Sequence, residues 1–308
     1  MKKINPYILL LVIAVLFSCK KDHSKDPQPP TSGKKYTLNL SLSAFSQQIV
    51  GSDNKLKVNS VVSDTGTIRS MFKVIGVIIS DSTGSAFTLP GGIYNAKTYN
   101  GSIKYSMLPG KYKIAVYAGQ EGCGIVGQFL CYGYDVTDHL STYNSWGDTF
   151  VKVFTVTVPS ADVNINVQLE RLVGEIELDV KDNLPANAYS FSISRTREDL
   201  NYSLVTSSLV AGGGVSYVYS IIPDSSKNKP NYKFTYITPF VNKVFPITFT
   251  CTDKNGNVLS QKVFNNNIVQ KNQRVIYSGN FFGTPSSGNS FQPTISTTWD
   301  PNPINISF

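Results

Sequence analysis

Histidine is almost missing from this 308-residue chain, which has only His23 and His139. Tryptophan is as scarce (Trp146 and Trp299), and there are three methionines and four cysteines. These scarcities exclude chemistry. No group of histidines and cysteines has zinc-ligand spacing. A hydrolytic triad on His139 would need a serine held beside it, and no pattern names one. Asp135 and Asp138 flank that histidine without the calcium-loop pattern, so they are expected to be solvated loop carboxylates. Gly122-Cys123-Gly124-Ile125-Val126-Gly127 matches Gly-x-Gly-x-x-Gly letter for letter. A dinucleotide site also needs a helix after the glycines and a parallel βαβ unit, whereas Gln128-Phe129-Leu130-Cys131-Tyr132 follows. The expectation is therefore no enzyme, no cofactor and no metal. Charge is sparse too: 16% of residues are charged. The formal excess of +8 is spread along the chain, without the basic stripe and interleaved aromatics that nucleic acid requires.

A run of about 20 apolar residues, the length that spans a bilayer, is also missing. What stands at the start is shorter. Met1-Lys2-Lys3 precedes an apolar segment from Ile8 to Phe17, followed by Ser18 and Cys19. A basic head, a short apolar run and a small residue before the cut describe a secretory signal. Leu16-Phe17-Ser18-Cys19 resembles a bacterial lipobox, with Phe17 departing from the small residue usual there. The lipobox implies that residues 1–18 are removed and that Cys19 carries acyl chains on its thiol and its freed amine. Two or three chains, at ~0.8 kcal/mol per buried methylene, would hold the protein on a membrane. Of the 308 residues, 290 then remain, and without Lys2 and Lys3 the charge falls to +6. At about 150 residues per domain, this length suggests two domains. Residues 19–35 are polar, with Pro27, Pro29 and Pro30, and are expected to form an extended tether.

From Tyr36 onward the dominant residues are Ser, Thr, Asn, Val, Ile, Tyr and Phe, which suit β-sheet. Apolar residues recur at period two in Tyr36, Leu38, Leu40, Leu42, then in Ile103, Tyr105, Met107, and again in Tyr112, Ile114, Val116. Residues 46–67 are expected to be loop and Ile68–Ser80 a strand with a bulge at Gly76. Phe87 and Leu89 are assigned to a short strand. Pro109-Gly110 is expected to make a type II turn, with a positive φ at Gly110. Residues 119–148 form a long Gly- and Tyr-rich insertion. Phe150–Val158 and Val163–Leu169 close the first half. The second half continues with Ile176–Val180, Tyr189–Ile193, Tyr217–Ile222, Tyr232–Phe240 and Phe245–Thr252. Asp253-Lys254-Asn255-Gly256 is a strong hairpin turn, leading to Val258–Phe264 and Gln273–Phe282. Ile304, Ile306 and Phe308 end the chain at period two. About seven strands per half, with turns between, argue an all-β fold of two tandem β-sandwiches. The expected division is 1–18 signal peptide, 19–35 lipidated tether, 36–169 first sandwich and 170–308 second sandwich. Cys123 and Cys131 could pair in an oxidising compartment, while Cys251 is expected to be a buried apolar residue.

The order of motifs resembles a family. A lipobox and a tether are followed by Met107-Leu108-Pro109-Gly110-Lys111-Tyr112 and Val116-Tyr117-Ala118. Then come Leu169-Glu170-Arg171 with Val173-Gly174-Glu175-Ile176, and Asn272-Gln273-Arg274-Val275-Ile276-Tyr277-Ser278-Gly279-Asn280-Phe281. This arrangement is similar to the fimbrial anchor (minor) subunits of the Bacteroidales fimbrillin superfamily, the type V pili. The resemblance implies two transthyretin-like β-sandwiches and an outer-membrane lipoprotein, lipid-anchored through Cys19 and surface-exposed, at the base of a fimbria. Its implied partner is the fimbrial shaft pilin, and its implied action is cell adhesion through β-strand complementation. Ile304, Ile306 and Phe308 could be a donated strand or an ordinary last strand of their own domain. Lys20-Lys21 before Asp22 departs from the acidic residues associated with surface display.

A different class also suits tandem sandwiches on a tether: a surface glycan-binding lipoprotein of a polysaccharide-uptake system. Tyr132, Tyr134 and Tyr143 would be its sugar platform, or simply loop packing. Saturable retention on a glycan that is lost on Tyr132→Ala and Tyr134→Ala would favour that reading.

Overall fold

Alternation written in the sequence becomes alternation in space. In the strand Ile103–Met107, Ile103, Tyr105 and Met107 are buried and Lys104 and Ser106 exposed, because successive side chains leave a pleated strand on opposite faces. The computed structural model describes residues 32–45, 47–50, 56–59, 65–81, 92–119, 123–126, 129–132, 147–195, 201–203, 206–210, 216–239, 241–283 and 292–296. The first half contains β1 (Tyr36–Phe45), β2 (Gln47–Val50), β3 (Leu56–Asn59), the helix α1 (Thr65–Met71), β4 (Val74–Asp81) and β5 (Gly92–Asn95). It continues with β6 (Ile103–Met107), β7 (Gly110–Gly119), β8 (Cys123–Val126), β9 (Phe129–Tyr132), β10 (Thr149–Val158) and β11 (Val163–Arg171). The second half contains β12 (Val173–Val180), β13 (Ser190–Arg195), β14 (Asn201–Ser203), β15 (Ser208–Val210) and β16 (Ser216–Ile221). After it come β17 (Tyr232–Pro239), β18 (Val241–Thr252), β19 (Val258–Val269), β20 (Arg274–Gly279) and β21 (Gln292–Ser296). The fold is all-β, as expected. No helix among the described residues is long and apolar enough to cross a membrane.

Two layers enclose each of two cores. In the first half, β5-β4-β7-β10 faces β11-β1-β6, and the layers touch at a corner where Phe150 and Val151 of β10 pair with Arg171 and Glu170 of β11. Leu38, Leu40, Ile75, Val77, Ile79, Ile114 and Val116 fill the space between. In the second half, β16-β13-β18-β19 faces β17-β12-β20-β21 around Ile176, Leu178, Phe191, Ile247 and Phe249.

The two halves are one topology used twice. In chain order, β1, β4, β5, β6, β7, β10 and β11 take the places of β12, β13, β16, β17, β18, β19 and β20. In each half the first strand runs parallel to the last, β1 with β11 and β12 with β20. Parallel neighbours need a crossover, and here the connection passes through the whole opposing layer and the third strand of its own. Among the described residues, the additions to the repeat are the hairpin β2–β3, the helix α1, two hairpins that combine into a small sheet of order β15-β14-β9-β8, and β21. The small sheet joins the halves, since Tyr202 and Ser203 of β14 pair with Leu130 and Phe129 of β9.

Several expectations are corrected. The stretch 46–67 holds β2, β3 and the start of α1, and Ile68–Ser80 is the end of α1 followed by β4. Ile68 and Phe72 lie four apart and both enter the first core, so apolar spacing there served a helix turn. Gly76 is not at a bulge, because β4 pairs with β7 without a break from Val74–Gly119 to Asp81–Tyr112. A Cβ at residue 76 would stand 1.8 Å from Cε1 of Tyr117, so the glycine makes room for that ring. Pro109-Gly110 is not a type II hairpin turn. Gly110 has no positive φ, and β6 and β7 lie in different layers, so the segment is a crossing between sheets. The insertion 119–148 contains β8 and β9. The turn at Asp253 is as expected: Gly256 has φ +85°, and the Asp253 carboxylate accepts from the backbone N–H groups of Asn255 and Asn257.

Candidate interaction site

The repeat exposes one inequality at a sheet edge. In the second half, β20 lies between β12 and β21, with β21 paired from Arg274–Ser296 to Ser278–Gln292. Its counterpart β11 has β1 along one edge, from Leu38–Val163 to Phe45–Leu169. On its other edge, among the described strands, it meets β10 only through Glu170 and Arg171. The stretch Val163–Ile165 therefore occupies the position that β21 covers in the other half. A sheet edge presents backbone N–H and C=O groups in register, a template for another strand.

Beside that edge lies the joint. A single residue, Leu172, separates β11 from β12, and its N–H donates to Thr149 O at 2.8 Å. Leu172 and Val173 pack in a third apolar cluster with Ala115, Tyr117, Val151 and Tyr202. Arg171 donates from Nε and Nη2 to the two Asp148 oxygens at 2.7 and 2.9 Å. Its Nη1 donates to Asn272 Oδ1 in the second half, and its guanidinium lies 4.8 Å from the centre of the Phe150 ring. Burial pushes the Asp148 carboxyl above its ordinary value, opposed by the Arg171 charge. A bidentate fork is geometrically specific, so this arginine ties the end of the first half to the β19–β20 turn of the second.

The outer side of β12 continues the charged joint. Val173-Gly174-Glu175-Ile176-Glu177-Leu178-Asp179-Val180 sends Ile176, Leu178 and Val180 into the core and three carboxylates the other way. All three are buried. Lys233 donates to Glu177 at 2.7 Å, and Lys181 lies 2.6 Å from Asp179. Arg274 Nε lies 2.7 Å from Glu175 Oε1, within ion-pair reach but off the line of a hydrogen bond. The Glu175 carboxyl is pushed up, first by burial and further by Glu177 and Asp148, with Arg274 opposing. The Lys233 ammonium is raised by its bond to Glu177. Each acid thus faces a cation, and the row stitches β12 to β17 and β20.

The residues singled out in the sequence fall mostly elsewhere. Cys19, the tether through Thr31, His23, Asp135, Asp138, His139, Tyr134, Tyr143, Trp146 and Trp299 lie outside the described residues, as do Ile304, Ile306 and Phe308. Cys123 and Cys131 are on paired strands, Cys123 opposite Tyr132 and Cys131 opposite Gly124. Cys251 is a buried free thiol, its pKa raised to about 12 by burial. The sequence shows Arg171 and Glu175 only as members of short motifs, and it assigns no role to them, to Asp148 or to the other β12 acids. The acids left a signal, three carboxylates at period two inside an apolar strand.

Comparison with known proteins finds no matching family model and no matching curated protein. Among solved structures, the fimbrial anchor protein Mfa2 from Porphyromonas gingivalis superposes with a TM-score of 0.50 at 8% identity, over 85% of this chain and 98% of that one. The chain has the fold of a fimbrial anchor protein. The all-β sandwich class expected from the sequence is thus the class found. A proposed cell-adhesion protein from Bacteroides ovatus matches at TM-score 0.48 and 11% identity, over 87% and 99% of the two chains. A fimbrial assembly protein from Parabacteroides distasonis matches at 0.41 and 11%, over 85% and 99%.

Proposed function

We propose that this protein is a structural subunit of a surface fimbria, an anchor or minor component that takes part in cell adhesion and catalyses nothing. It would be carried to the outer membrane by its signal, held there by acylated Cys19, and raised by residues 19–35. Its two domains would divide at 169/170, where β11 nears its end. Its contact with the shaft pilin would be a strand added to a sheet, in which main-chain bonds give affinity and alternate side chains give specificity. The observation that carries this reading is the edge of β11 at Val163–Ile165, the place that β21 takes in the second half. Ile304, Ile306 and Phe308 are the candidate donated strand. A Cys123–Cys131 disulfide would close the insertion without holding the fold.

The experiment is a purification from native membranes through a tag near Asp26. A ladder of pilin polymers, lost when residues 303–308 are removed, is the expected result. A ladder that survives the truncation keeps the fimbrial role and discards the donated strand. Co-purification of a porin-like transporter without pilin would overturn the proposal in favour of glycan uptake.

A further inference from the structure

Phe191, Ile193 and Arg195 share the inward face of β13. The first two are core residues, and the third is an arginine only 3% exposed. Its guanidinium lies 5.2 Å from the centre of the Phe245 ring, which occupies one face of the guanidinium and leaves its edges for hydrogen bonding. On one edge, Nε and Nη2 are both buried and, among the described residues, neither meets a hydrogen-bond acceptor. Asn267, opposite Phe245 in the ladder, gives its amide to the Phe245 and Phe264 carbonyls and takes the Tyr277 hydroxyl on its oxygen.

The same chain shows what such an edge is for. Arg171 uses the identical pair of atoms, Nε and Nη2, to grip both oxygens of Asp148. A buried cation without a partner is costly to a fold, so its retention calls for a partner brought to it. We propose that Arg195 is the receptor for an external carboxylate, bound by both oxygens at the end of the second sandwich where β13 and β19 terminate. The geometry selects the ligand class. A carboxylate matches the two parallel donors with two oxygens and the single positive charge with a single negative one, whereas a phosphate brings further oxygens that one buried arginine cannot satisfy. The chain carries 28 basic against 20 acidic residues, so its cations outnumber the carboxylates available within it.

The test is thermal unfolding of the full chain with sodium formate as the probe, against sodium chloride at equal ionic strength. Wild type is expected to gain stability saturably with formate and not with chloride. Arg195→Met should be more stable than wild type without formate and insensitive to it. Glu198→Gln with Asp199→Asn, which removes the acids next along the chain, should respond like wild type. Arg195→Lys keeps the charge without the fork and serves if the methionine variant does not fold; its formate response should fall at least tenfold. A wild type indifferent to formate would overturn the proposal, and so would an Arg195→Met less stable than wild type with an equal loss in the acid-to-amide variant, which would assign the fork to the chain's own carboxylates.

Discussion

The first and second sandwiches have the same seven strands in the same places, yet they end differently. The first runs out through β11, which bends across to β10 at the corner and enters the joint. The second runs out through β20, and an eighth strand, β21, lies along it. A repeated topology shows which features the fold requires and which are additions. The parallel first and last strands, the three-strand layer and the four-strand layer are required. The β21 edge, the bridging small sheet and the charged joint are additions, and they occur where the halves meet or where a strand could be gained.

The largest expected effect breaks the link between the halves. Arg171→Met leaves the half-buried Asp148 carboxylate without its partner, and loss of one member of a buried pair costs up to ~3–5 kcal/mol. Urea unfolding should move to lower concentration and split into two transitions. A single unshifted transition would show that the joint does not couple the halves. Next is Gly76→Ala, which forces a methyl into the Tyr117 ring. Overpacking of this kind costs ~1–3 kcal/mol, and it should move the unfolding transition to lower urea. Recovery with Tyr117→Ala in the same chain would confirm the clash as the cause.

A smaller effect follows from protonation. Burial raises the folded carboxyl of Asp148 above its ordinary value, so the folded chain binds that proton more tightly than the unfolded chain does. Its contribution is most favourable below the ordinary carboxylate range and is lost as pH rises through the raised value. The stability difference between wild type and Asp148→Asn should therefore shift against wild type on going from acid to neutral pH. A difference independent of pH would refute the burial argument. The smallest effect concerns Cys251, whose thiol is protonated at neutral pH. A thiol reagent should leave it unmodified in the native chain and label it only on unfolding.

Much of this was legible in the sequence. The alternations at Leu38–Leu42, Ile103–Met107 and Ile176–Val180 state both strand and inward face, because burial on one side of a sheet imposes period two. The Asp253 turn was equally plain, since its aspartate and glycine serve local geometry. What failed were the non-local meanings. Gly76 looks like a bulge until Tyr117, forty-one residues away, is placed against it. Pro109-Gly110 looks like a hairpin because a crossing between layers uses the same residues as a turn within one. Arg171 resembles any surface arginine in a Leu-Glu-Arg run, and its partners at 148 and 272 are brought to it only by the fold. Arg195 follows the alternation of β13, and that alternation, taken literally, had already pointed it inward.

The parallel pairing of first and last strands has a mechanical side. In the first half, β1 enters from the tether side and β11 leaves toward the joint, neighbours in one ladder and running the same way. Tension applied between these two ends pulls the strands past each other along their length. The rungs from Leu38–Val163 to Leu42–Val167 then bear load together in shear and cannot be unzipped one at a time. β12 and β20 repeat the arrangement, so a pull on the chain meets two such clamps in series.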